Sequence, residues 1–291
     1  MEQESNNILV LTDFSEQSDI CLEQACNLVN FLRSEITLLY VVPETAFFSK
    51  LVGIGQVFPS ETEAKEKLKK IADDIFLKTN IKIKIRIEKG DPGKKTIQVE
   101  KELNPRYMIV STKSYASPRS RIVSPTTVKV FRNSKCPVMT INGKEHFRMI
   151  KTILLPLDLT AETMTKLKEA KKLAGIYYST LKLVSFVYRD TATAIVRLKD
   201  QLVIGKRYLD KRKFKNEVEL IDKREDNVQD LAVDIADYAN KHNVDLVMVV
   251  VQQEPEEFFI FYMDNIVKKL ISLTEKPVLC IPAEKIRIEA Y

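Results

Sequence analysis

A short apolar run that ends on an aspartate occurs twice in this chain and limits what it can fold into. Ile8-Leu9-Val10-Leu11 leads into Thr12-Asp13-Phe14-Ser15, and Ile153-Leu154-Leu155-Pro156-Leu157 leads into Asp158-Leu159-Thr160. A continuous apolar run closed by a polar turn and followed by a helical pattern reads as a parallel strand, buried on both faces, that feeds a helix. Each aspartate then stands at the carboxyl end of its strand. Open α/β sheets bind ligands at that end, near the point where strand order reverses. Asp13 and Asp158 are therefore the first candidate site residues.

The recurrence extends along both halves. Asp13 and Asp158 are 145 positions apart, and Pro137 and Pro277 are 140 apart, so the drift across a whole unit is small and indicates duplication of one fold. The predicted domains are residues 1–145 and 150–291, with the boundary near residue 148 and Lys144 to Lys151 as connector. A chain of 291 residues with 45% hydrophobic content has material for two cores.

In the first half, Leu22, Ala25, Leu28, Val29 and Leu32 recur at helical spacing between Gln17 and Arg33. Glu35 to Val42 is the predicted second strand. The loop after Pro43 is rich in large apolar residues, among them Phe47 and Phe48, and its Gly53 and Gly55 lack the third glycine of a dinucleotide fingerprint. Ser60 and Glu63 have capping-box spacing for a charged helix to about Lys78. Asn80 to Glu88 alternates isoleucine with lysine and arginine, which predicts an edge strand. Gly90-Asp91-Pro92-Gly93 is a turn, and Lys95 to Glu102 is predicted helical. Tyr107 to Val110 and Val138 to Ile141 are the last strands, separated by the serine-rich segment 111–125 and a helix from Thr126 to Arg132. The second half repeats this order, with Leu167 to Ala174 as helix and Thr180 to Val187, Val218 to Ile221, Asp245 to Val251 and Val278 to Ile281 as strands.

Composition narrows the functional classes. Cys21, Cys26, Cys136 and Cys280 have no C-x-x-C spacing and only His146 and His242 as company, so buried free thiols are expected and a metal is not. Met1 to Asn7 is polar and acidic, unlike an export signal, and no run reaches the roughly 18 apolar residues of a membrane helix. A cytoplasmic location follows as an expectation. Lys206, Arg207, Lys211, Arg212, Lys213 and Lys215 crowd the approach to the third strand of the second half, where they read as the solvated face of a helix end. On that reading no nucleic-acid partner is expected, and without a long apolar run no membrane partner is expected.

Strand order, the Leu38-Leu39-Tyr40-Val41-Val42-Pro43 strand, Gly90-Asp91-Pro92, Cys136-Pro137-Val138, Asp245-Leu246-Val247-Met248-Val249 and Lys276-Pro277-Val278-Leu279 together resemble the universal stress protein family, in a tandem form covering nearly the whole chain. The resemblance implies two Rossmann-like α/β domains, each a five-stranded parallel sheet with helices on both faces. It also implies an ATP site in nucleotide-binding members, made of the strand-end aspartate, backbone near the end of the second strand, and a loop G-x-x-G-x9-G-S/T after the fourth. Carried over, those positions are Asp13, Val41, and Ser111, Ser114 and Ser124 for the three glycines, with Pro125 in the Ser/Thr place.

A phosphate cradle needs backbone N–H groups turned to the ligand with no Cβ in between, and proline removes an N–H where an anion would dock. The second half has Val250 to Phe259 in that place, with Glu254, Glu256 and Glu257 to repel a triphosphate and Phe258 to Met263 as an apolar packing surface. Asp13 with Glu16 also has the spacing of a helix cap, so structure alone accounts for it. The favoured expectation is a non-enzymatic stress-response or signalling protein that works through an unknown protein partner, without cofactor and with degenerate nucleotide sites. The alternative is an ATP-binding, weakly hydrolysing protein that uses the serine loop. An adenylate-forming enzyme lacks its phosphate loop, catalytic histidines and loop thiol.

The resemblance also implies assembly. The last strand of each half would leave an apolar edge, which in the family meets its counterpart across a two-fold axis. The two halves are expected to pair within one chain, and Phe47, Phe48, Phe258 and Phe259 offer a surface for a homodimer. Halves expressed separately should co-elute in gel filtration, and independent monomers would refute the pairing.

Overall fold

In a computed structural model, the chain is described over residues 6–32, 34–44, 58–112, 123–142, 149–157, 163–188, 191–224, 230–251 and 259–283, with side chains from residue 265 in the last segment. It divides into two compact units, Met1–Arg148 and Met149–Tyr291.

The first unit contains β1 (Asn7–Thr12), α1 (Glu16–Leu32), β2 (Glu35–Val42), α2 (Glu61–Thr79), β3 (Ile83–Lys89), α3 (Pro92–Leu103), β4 (Tyr107–Ser111), α4 (Pro125–Asn133) and β5 (Val138–Ile141). Its strands pair in parallel in the order β3-β2-β1-β4-β5. The chain builds outward from β1 to β3, then crosses to the other side for β4 and β5, so order reverses between β1 and β4. Right-handed crossovers place α1 and α2 on one face and α3 and α4 on the other. Both faces of the central strands are thereby covered, and Ile8, Leu9, Val10, Met108 and Ile109 have no solvent contact.

The second unit contains β6 (Thr152–Pro156), α5 (Thr163–Tyr177), β7 (Thr180–Val187), α6 (Ala192–Asp210), β8 (Asn216–Asp222), α7 (Leu231–Lys241), β9 (Leu246–Val251), α8 (Phe259–Leu273) and β10 (Val278–Pro282). Its parallel order, β8-β7-β6-β9-β10, repeats that of the first unit. The predicted packing surface at Phe258 to Met263 falls mainly in the first turn of α8, with Phe258 itself outside the described residues. Gly205 lets α6 lie close on the sheet: a Cβ there would come within 2.5 Å of Leu183 on β7.

Two boundaries differ from the sequence reading for identifiable reasons. Helix α3 begins at Pro92, three residues before the predicted start, because Asp91 caps it by accepting from the Lys94 amide and proline suits the first helical position. Strand β3 begins at Ile83 because Asn80, in the left-handed region at φ 60°, closes α2 and delays pairing. The edge position predicted for β3 is observed. Its Lys84 pairs with Glu35 at 2.6 Å, and its Arg86 pairs with Glu88 and Glu102.

The link between α3 and β5 is a buried carboxylate. Glu100 Oε1 accepts from Ser134 Oγ at 3.0 Å, the Lys135 amide at 2.6 Å and the Cys136 amide at 2.9 Å. It thereby fixes the turn that delivers Pro137 into β5. In the second unit Thr274 does a smaller version of this work, accepting from the Lys276 amide at 3.1 Å. Glu100→Ala removes the shared acceptor of three donors, of which Ser134 Oγ and the Cys136 amide have a second partner, and should cost the first unit about 2–3 kcal/mol, whereas Glu100→Gln keeps an acceptor oxygen and should cost less. Denaturant unfolding measures both, and an unchanged midpoint for the alanine variant would show that the turn holds itself.

Candidate functional site

The carboxyl ends of β1 and β4 flank the reversal of strand order, and the register Val10↔Ile109 carries Asp13 and Ser111 to the same end of the sheet. Asp13 is half-buried. Its Oδ1 accepts from the Ser15 amide at 3.1 Å and from Ser15 Oγ at 2.5 Å. Ser15 Oγ in turn accepts from the Ser18 amide at 3.3 Å, so Ser15 caps α1 and Asp13 braces the cap from behind. The Asp13–Glu16 cap expected from spacing is corrected accordingly: Glu16 lies in the first turn of α1.

Between the two, Phe14 adopts φ 60°, which costs a non-glycine residue free energy and needs support. The Phe14 amide donates to Thr12 Oγ1 at 3.0 Å, its ring lies 4.6 Å from that of Tyr40, and Lys67 Nζ sits 5.3 Å from the ring centroid. Asp13, Glu16 and Asp19 make this end of α1 acidic. Burial, with Asp13 and Glu16 adding to it, raises the Asp19 carboxyl. Burial and then Asp13 push the Tyr40 phenol up to about 12 and the Cys21 thiol above the ordinary thiol range.

Val41, the backbone position carried over from the resemblance, is buried within β2 and in register with Glu88 on β3. Its neighbour Val42 accepts from the Gly90 amide at 3.0 Å, so the backbone at this strand end is already engaged.

The serine loop is described at its two ends. Ser111 closes β4, and its carbonyl accepts from Thr127 Oγ1 at 2.6 Å. Ser124 is the N-cap of α4: its Oγ accepts from the Thr127 amide at 3.1 Å and shares a 2.8 Å hydrogen bond with Thr127 Oγ1. The Ser124 amide itself donates to Thr112 O at 2.9 Å. With Pro125 in the first helical position lacking an N–H, the donors that a helix N-terminus offers an anion are largely consumed by the chain itself. Ser114, Lys113, Arg119 and Arg121 lie outside the described residues.

In the second unit, Asp158 and the acidic segment with Glu254, Glu256 and Glu257 also lie outside them. What is described at that strand end is a buried lysine. Lys166 of α5 is 4% exposed and donates from Nζ to Pro156 O at 3.0 Å, at the end of β6. At the 145-residue offset its counterpart is Cys21, so one unit holds a cysteine where the other holds a lysine. Sequence reasoning passed over Lys166. The available signal was its place on the same helical stripe as Ala170, Leu173 and Tyr177, which are all buried.

Among the described residues no group of His, Cys, Asp and Glu side chains could hold a metal. The four cysteines are free and buried, as expected. Burial pushes the Cys26 thiol up to about 11 and, with Glu100 adding to it, the Cys136 thiol up to about 12. Thiolate chemistry near neutral pH is thereby suppressed. All four should resist a disulfide reagent in the native protein at pH 8 and react together in denaturant. Rapid labelling of any one under native conditions would contradict the burial.

Residues 4–142 match the sequence model of the Universal stress protein family. No curated protein matches the chain by sequence. Among solved structures, the fold is similar to that of a universal stress protein from Archaeoglobus fulgidus, at 15% identity and a TM-score of 0.74, over 97% of this chain and 98% of that one. It is similar also to a protein of unknown function from Pseudomonas aeruginosa, at 14% identity and a TM-score of 0.70, over 96% and 92%. At such identities the likeness is one of fold, and the family assignment rests on the match over residues 4–142. The first unit belongs to the universal stress protein family, and the second unit repeats its Rossmann-like fold.

Proposed function

We propose that this universal stress protein is non-enzymatic and acts in stress response or signalling through protein contacts, with nucleotide sites that no longer work. One observation carries the reading. The N-terminus of α4, where phosphates would rest on free amides, is capped by Ser124, and Pro125 in the first helical position brings no N–H. The acidic cluster of Asp13, Glu16 and Asp19 adds no attraction for an anion.

A second observation favours the alternative, an ATP-binding first unit. The Tyr40 hydroxyl and Thr112 Oγ1, near the carboxyl ends of β2 and β4, are buried without a hydrogen-bond partner among the described residues. Buried polar groups are normally satisfied, and a bound polar ligand would satisfy them.

Isothermal titration with magnesium and ATP separates the two. The expected result is no saturable heat. Binding of one nucleotide per chain at low micromolar affinity, about 8 kcal/mol, would establish the alternative. Ser111→Gly, Ser114→Gly and Ser124→Gly combined with Pro125→Ser should restore binding to the first unit if the blocked phosphate end is the cause. Glycine changes in the second unit's loop should restore none.

A further inference from the structure

The basic cluster noted in the sequence gains a second feature in the structure. Helix α6 packs inward through Leu198, Leu202, Gly205 and Leu209, yet its outward face also carries aliphatic side chains: Val196 is 55% exposed, Val203 45% and Ile204 53%. Arg197, Lys199, Lys206 and Arg207 lie exposed around them, and Lys211, Arg212, Lys213 and Lys215 follow in the exposed turn and at the approach to β8. From Arg197 to Lys215 there are eight Lys or Arg against two Asp, an excess of six, which equals the formal net charge of +6 of the whole chain. The remaining residues sum to zero formal charge, so this segment carries the chain's whole net excess.

One of the two acids is already engaged, since Asp210 bonds Lys206 at 3.1 Å and Asn216 at 2.7 Å. Arg212 stacks on the Tyr208 ring at 3.8 Å, which holds its guanidinium at the surface and takes that ring out of use as a stacking platform. Tyr178, 86% exposed just after α5, belongs to the same end of the unit, because β7 begins at Thr180 and the Leu181 amide donates to Lys215 O at 2.9 Å. The last turns of α6 and the turn after it therefore lie towards the amino ends of the second unit's strands, and the patch does not depend on the function proposed above.

We propose that the outward face of α6 and the turn after it form a peripheral docking surface for an anionic phospholipid bilayer. Charge complementarity identifies the partner: dense basic residues meet acidic headgroups, and exposed aliphatics with an exposed tyrosine suit the headgroup–acyl boundary. The absence of a membrane-spanning helix among the described residues is compatible with this, since the helix lies on the surface and does not cross it. A single-stranded nucleic acid, bound by charge with aromatic stacking, would leave Val196, Val203 and Ile204 without apolar partners.

The test is vesicle co-sedimentation of the full chain, with phosphatidylcholine alone and with phosphatidylserine mixed in. Partitioning should be roughly tenfold or more stronger onto the phosphatidylserine vesicles and should fall steeply as salt is raised. Lys211→Glu with Arg212→Glu and Lys213→Glu should reduce it to the phosphatidylcholine level. Val203→Ser with Ile204→Ser should weaken it while leaving the salt dependence in place, and circular dichroism confirms that each variant is folded. Equal partitioning onto both vesicles, or binding indifferent to the charge reversal, overturns the proposal. So does tighter capture of a single-stranded DNA oligonucleotide in the same buffer, or a salt-sensitive self-association, abolished by the same variants, that leaves the surface covered by a second copy.

Discussion

Backbone hydrogen bonding in strands with no access to water is the constraint from which the rest follows. Along β1 and β4 every amide and carbonyl must find a partner inside the sheet, since Ile8 to Val10 and Tyr107 to Val110 are buried. Parallel pairing meets that demand only with long crossovers, and the crossovers supply the helices that bury both faces. The carboxyl ends of the strands become the place where the chain turns, and polar side chains gather there to hold the turns. Asp13, Ser15, Thr12 and Ser18 at one end of the crevice, and Ser111, Ser124 and Thr127 at the other, are bonded to one another or to nearby backbone.

Much of the fold was legible because this constraint writes itself into apolar runs. The repeated β1 motif located both units, and the isoleucine–lysine alternation marked β3 as an edge. What stayed hidden depends on side-chain geometry that periodicity does not carry. Spacing singled out Asp13 with Glu16, but the residue that reaches the Ser18 amide is Ser15. The sequence makes α3 three residues too short because Gly90 to Gly93 has the composition of a free turn, whereas Asp91 caps the helix and Lys129 pairs with it at 2.9 Å. Lys166 is masked by its residue type, which outweighs the one signal of burial, its place on the stripe of Ala170, Leu173 and Tyr177. At the candidate site the sequence named the positions. Whether Ser124 presents its amide to a ligand or spends it on Thr112 could be read only from coordinates.

The two units show how one scaffold tolerates unlike chemistry at matched points. Strands and their order are kept, because a single misplaced strand would leave backbone groups unpaired. The groups beneath the turns are freer. A buried cysteine and a buried lysine occupy offset-matched places in α1 and α5, and a buried glutamate secures the turn before β5 where a threonine serves before β10. Each substitution remains local because its partners are the turn beside it.

Gly205 has a consequence for the outward face of α6. With the helix backbone seated this close to Leu183, and Leu198, Leu202 and Leu209 buried on the same side, the helix has little freedom to roll about its axis. Rolling is how an amphipathic helix ordinarily tucks stray aliphatic groups out of water. Here Val203 and Ile204 are held outward by the same close contact that stabilises the unit, and shielding them requires matter from outside it.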